Sequence, residues 1–99
     1  MSSYELSFPK DFDDYEWELE SKGWFSDITM KVGDVNYRLN FYDSARLSQD
    51  IDDELLAHEA FFEENLIIVK VVNRLHIENA VQYLVESGRY TSLKRTEVK

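Results

Sequence analysis

The run Leu66-Ile67-Ile68-Val69-Lys70-Val71-Val72 constrains this chain most. Both alternate sets of its side chains are mostly apolar, with Leu66, Ile68 and Val72 on one side and Ile67, Val69 and Val71 on the other. An extended segment of that kind needs cover on both faces. A fully enclosed central strand is therefore predicted here, with the rest of the chain as its neighbours or its cover.

The remaining elements follow from periodicity and punctuation. Ser3–Phe8 alternates, with Tyr4, Leu6 and Phe8 on one side, and predicts a short strand that Pro9 stops. Asp11–Lys22 carries two signals. Tyr15 to Glu20 alternates as a strand does, while Phe12, Tyr15 and Leu19 fall at i, i+3 and i+7. Asp11 as a cap, acids in the first turn, the glutamate run and Gly23 as a left-handed stop favour the helix. Asp27–Val32 and Val35–Tyr42 predict a hairpin over Gly33-Asp34, a Gly-first loop suited to a type II′ turn. Its register pairs Val32 with Val35, Met30 with Tyr37 and Ile28 with Leu39 on the core side. Lys31 with Asn36, Thr29 with Arg38 and Asp27 with Asn40 fall on the polar side.

Asp43–Ala57 predicts a helix whose inner stripe is Leu47, Ile51 and Leu55, with Arg46 placed to offset Asp50 at i+4. Phe61-Phe62 after it is expected to pin the following loop to the core. Asn73 caps a last helix, Arg74–Ser87, with Ile77, Ala80, Val81, Leu84 and Val85 on its inner face and Gly88 at its end. Tyr90–Leu93 is a possible edge strand. The expected architecture is a single α+β domain over 1–93, followed by a polar tail over 94–99. Its sheet is mostly antiparallel and its order is β-α-β-β-α-β-α, a ferredoxin-like split βαβ pattern with an extra C-terminal helix.

Composition bounds the chemistry. Twenty Asp and Glu against eleven Lys and Arg give a net charge of −9. Residues 1–64 hold 17 acids and 5 bases, while residues 65–99 hold 3 and 6. A surface so negative repels nucleic acid and anionic lipid and attracts basic partners. Cysteine is absent, so disulfides, thiolate metal sites and thiol nucleophiles are excluded. No apolar run nears the roughly 18–20 residues of a membrane span, and the N-terminus lacks the basic and apolar regions of a signal peptide. A cytoplasmic protein is expected.

No chemical motif rises above background. His58-Glu59 opens like a zinc-protease helix, but Phe62 stands where the second histidine would be. At roughly 100° per residue His58 lies within about 20° of Leu47, so partial burial is expected. Asp50 to Glu54 resembles a calcium loop in composition alone, without its glycine or closing glutamate. No cofactor or metal is expected, and no catalytic set is found.

One residue resists a structural account. On a helical Asp11–Lys22, Trp17 lies about 140° from Phe12 and points outward. Asp13, Asp14 and Glu20 flank it, the composition of an interface centre for a basic partner. Burial of Trp17 in a strand or under the C-terminal tail is the alternative. Candidate partner-binding residues are therefore Trp17, Asp13, Asp14, Glu20, Asp50 and Asp53. The function expected is a non-enzymatic, acidic protein-binding module, most concretely a bacterial immunity-type antitoxin masking a basic toxin. The alternative is a structural or regulatory homodimer with no toxin partner.

Overall fold

The computed structural model describes residues 3–96. The first two residues of the N-terminus and the last three of the polar tail expected over 94–99 lie outside them. The elements are β1 (Tyr4–Ser7), α1 (Phe12–Lys22), β2 (Trp24–Val32), β3 (Val35–Tyr42), α2 (Ser44–His58), β4 (Leu66–Ile68) and α3 (Arg74–Glu86). A 3₁₀ turn over Arg89–Ser92 follows.

The β2–β3 hairpin has the register that side-chain alternation requires, from Val32 opposite Val35 to Ile28 opposite Leu39. Gly33 takes φ +61° while Asp34 keeps a negative φ, the type II′ arrangement. β2 begins three residues earlier than its alternation suggests. Phe25 pairs with Phe41, so Ser26 and Asp27 together oppose Asn40 and form a bulge. The extra residue keeps Phe25 on the same face as Ile28 and Met30, and turns Trp24 to the other face opposite Tyr42.

β1 adds antiparallel to β2, with Leu6 opposite Met30, and β4 adds parallel to β3, with Ile67 opposite Phe41. The spatial order is β1-β2-β3-β4. The small α+β domain is as expected, but the sheet is mixed rather than mostly antiparallel. The ferredoxin-like arrangement is also not the one seen. A split βαβ unit holds a strand between its parallel partners, whereas β3 and β4 are direct neighbours bridged by α2.

One sheet face carries the core. α1 contributes Phe12 and Leu19, and α3 contributes Ile77, Val81 and Val85. These pack over Ile28, Met30, Tyr37, Leu39 and Phe41. Arg74 fastens the two helices together. Its guanidinium lies 4.1 Å from the Phe8 ring centroid and pairs with Asp13 at 2.9 Å, while its backbone N–H donates to the Glu16 carboxylate. The opposite face shows Glu5, Ser7, Lys31 and Arg38 to solvent.

The enclosed central strand expected over residues 66–72 is not formed. β4 is a three-residue edge strand, and Ile68 is 56% exposed. After Val69 donates its N–H to Tyr42 O at 2.9 Å, the chain bends away. Val69 and Val72 then reach the core from a turn, not from a strand. The run is apolar because its residues enter the core by two different routes.

One further expectation is corrected. Tyr90–Leu93 is not an edge strand, since left-handed Gly88 starts the 3₁₀ turn and Thr91 donates its N–H and hydroxyl back to Gly88 O. The first residues of the polar tail, 94–96, are hydrogen-bonded to the rest of the domain. Asn65, in the left-handed region at φ +51°, donates from Nδ2 to both Arg38 O and Lys94 O, and its Oδ1 accepts from Lys94 N. Thr96 N then reaches Asn36 O at 2.7 Å. A single amide side chain thus joins this segment to the β3 edge that β4 leaves open.

The end of α1, the start of β2, the end of β3 and the start of α2 meet at one point. Gly23 has φ +74°, donates to Leu19 O and accepts from Asp43 N at 2.8 Å. Asp43 in turn caps α2 through Arg46 N. A Cβ on Gly23 would lie 2.5 Å from the Asp43 carboxylate. Gly23→Ala combines that clash with left-handed strain, and should lower stability by about 1–3 kcal/mol. The midpoint of urea unfolding checks this.

Candidate functional site

α2 is anchored at one end only. Leu47 is its one buried residue, Ile51 is half-buried, and every residue from Asp52 to Ala60 is exposed. The predicted inner stripe therefore covers the domain for two turns and then runs free, with Leu55 exposed and its neighbour Leu56 90% exposed. Phe62 does not pin the loop to the core as expected, because it is 79% exposed. His58 is not partly buried either. It stands in solvent 3.9 Å from Glu54. Residues 44–64 contain seven acids and Arg46 as their one Lys or Arg.

Between α2 and the returning loop lies a cleft of about 380 Å³, lined by Tyr42, Arg46, Asp50, Asp53, Glu54, Phe61, Phe62 and Glu63. Helical spacing builds one wall, since positions 46, 50, 53 and 54 recur on one face. The end of β3 supplies Tyr42, and the loop brings Phe61 to Glu63 back past it. Arg46 Nε donates to Asp50 Oδ1 at 2.9 Å, the pairing expected from the i+4 spacing. Asp53 and Glu63 have no cationic partner among the described residues.

The electrostatics record this imbalance. Burial, followed by the charges of Asp50, Glu54 and Glu64, raises the Glu63 pKa above its ordinary value. The Tyr42 hydroxyl is raised by burial and then by Glu63 and Asp50, against smaller lowering effects of Arg46 and the Trp24 indole N–H. That indole N–H is enclosed and makes no hydrogen bond by geometry among the described residues. Trp24 and Tyr42 sit with ring centroids 6.4 Å apart.

The six sequence candidates fall into two sets. Asp50 and Asp53 line the cleft. Trp17, Asp14 and Glu20 are exposed on α1, with Trp17 at 67%, while Asp13 is engaged by Arg74. Tyr42, Glu54, Phe61, Phe62 and Glu63 were not singled out by the sequence. Their one local sign was an aromatic pair followed directly by acids in a loop.

A second hollow, of about 620 Å³, lies at the end of α3 between Tyr4, Val85, Glu86 and Tyr90. It has one carboxylate and no opposed charge. Among the described residues, no three His, Cys, Asp or Glu side chains converge closely enough to hold a metal ion, and no helix is long and apolar enough to cross a membrane. Comparison with protein-family models, curated proteins and solved structures finds no match.

The raised Glu63 pKa has a stability consequence. Folding favours its protonated form, so the folded state binds more protons than the unfolded state, and stability falls as pH rises through the carboxylate range. After burial, Asp50 and Glu54 on α2 and Glu64 beside it oppose its charge, and Tyr42 and Arg46 line the same cleft. Glu63→Gln should raise the thermal midpoint by a few degrees at neutral pH. The gain should vanish below the ordinary glutamate pKa, where both forms are neutral; scanning calorimetry across pH checks this.

Proposed function

We propose that this chain is a non-enzymatic binding protein that engages a basic protein partner through α2 and the loop that follows it. Its most concrete form is a bacterial immunity-type antitoxin that masks a basic toxin. The observation that carries the reading is the free half of α2. Large apolar side chains, Leu55, Leu56 and Phe62, stand exposed among Asp52, Asp53, Glu54, Glu59 and Glu63. Exposed apolar area contributes affinity once a partner removes water from it, and surrounding charge selects which partner arrives. The outer face of α1, with Trp17, Asp14 and Glu20, offers a second contact of similar chemistry. Localisation in the cytoplasm, where such a toxin would be masked before export, belongs to the same proposal.

A homodimeric module is the second reading, favoured by the exposed Ile68 on the outer edge of β4. Two copies would bring a charge of −9 each into contact, which opposes close association. Sedimentation at low and high salt separates these readings. A tight dimer that buries Ile68 replaces the first reading with the second.

The partner is recovered from the source cell at low salt and its binding followed by stopped flow. Asp53→Lys or Glu54→Lys is expected to slow association at low salt, with the difference fading as ionic strength approaches roughly 1 M. Leu56→Ser with Phe62→Ser should raise the dissociation rate by about tenfold or more and leave the urea midpoint unchanged. Trp17→Ala measures the share carried by α1. An association rate indifferent to salt would remove the electrostatic reading.

A further inference from the structure

We infer that the cleft between α2 and the 61–63 loop is a receptor for one arginine side chain of the basic partner. This deepens the function proposed above and rests on it. The cleft is more than a patch of surface acids. Tyr42 is only 4% exposed, yet it lines the cleft. Its hydroxyl donates to no acceptor among the described residues, and burial, followed by the charges of Glu63 and Asp50, raises its pKa. A largely buried tyrosine and a half-buried carboxylate with no ion-pair partner among the described residues line the same space.

The chemistry of the lining decides between the two cationic side chains. Phe61 and Phe62 supply aromatic surface on the loop side, and a planar, weakly hydrated guanidinium stacks on such surface better than an ammonium. Its five N–H donors, held in a fork, can engage a carboxylate such as Glu63 in bidentate fashion. The cleft already holds one such pair, Arg46 with Asp50, so its carboxylates accept a guanidinium in practice. At about 380 Å³ the cleft sits near the small end of ligand sites, which run from ~300 to ~1,000 Å³, and suits one side chain rather than a large ligand.

The probes are N-acetyl-arginine methylamide and N-acetyl-lysine methylamide, each titrated into the full chain labelled with nitrogen-15. The arginine derivative is expected to shift the amides of Tyr42, Phe61, Phe62 and Glu63 together with the Trp24 indole N–H. It should bind about fivefold or more tightly than the lysine derivative, because the bidentate fork and stacking are specific to arginine. Glu63→Gln should weaken the arginine derivative about tenfold, and Tyr42→Phe less, whereas Glu59→Gln, which alters an acid outside the cleft, should leave it unchanged. Glu63→Gln relieves a half-buried charge and is expected to raise the thermal midpoint, so loss of binding in a variant that does so is not unfolding. Equal affinity for both derivatives, or an equal response to Glu63→Gln and Glu59→Gln, would overturn the inference. If that happens while Leu56→Ser with Phe62→Ser still weakens a basic partner, the broader binding function stands and only the arginine site falls. If neither effect is seen, both fall.

Discussion

Cross-strand parity in the β2–β3 hairpin governs the rest of this structure. Once Val32 faces Val35, every side chain from Trp24 to Tyr42 is assigned to one face or the other, and a one-residue slip would exchange the two. The bulge at Ser26-Asp27 makes one local adjustment. It keeps Phe25 under α1 and sends Trp24 to the far side with Tyr42. α1 and α3 can then cover only the face that carries Ile28, Met30, Leu39 and Phe41. The far face is left polar except at one corner, and α2 starts from that corner. The cleft exists because this sheet is covered fully on one face and only at a corner on the other.

Local chemistry made much of this fold legible in the sequence. The hairpin, the left-handed stop at Gly23, the Asn73 cap of α3 and the inner face of Ile77, Val81 and Val85 all rest on short-range rules, and all are present. The errors share a cause. Residues 66–72 are apolar throughout, but hydrophobicity specifies burial and not the backbone path that achieves it. Ile67 is partly buried beside β3 from a strand, while Val69 and Val72 reach the same core from a bend. The α2 stripe misled in a related way. A period of about 3.6 residues shows which side of a helix is apolar, and does not show whether the domain reaches far enough to cover it.

The site was less legible than the fold, for a geometric reason. Asp50 and Asp53 stood out through local charge density. Tyr42 and Glu63 flank the whole of α2 in sequence, and only the crossover from β3 to β4 brings them together. Tyr42 also reads as an ordinary strand residue of the hairpin. The parity that places Tyr37 in the core places Tyr42, five positions on, on the opposite face beside α2. No pattern within a window of one element carries that information. The outward position of Trp17, by contrast, follows from helical phase alone.

The acids of this chain divide into two physical classes. Those on the free half of α2, such as Asp52 and Glu59, are solvated, so their fields are screened within about 10 Å at ordinary ionic strength and serve approach more than attachment. Glu63 differs because it is half-buried, and burial together with the charges of Asp50, Glu54 and Glu64 disfavours its ionised form. A positive group entering there gains from lower dielectric screening and also relieves the repulsion already present. The same group placed beside Glu59 would gain little. Under the proposed function, specific recognition would therefore depend on the few acids that folding has partly removed from water, while the larger number outside would govern how quickly a basic partner arrives.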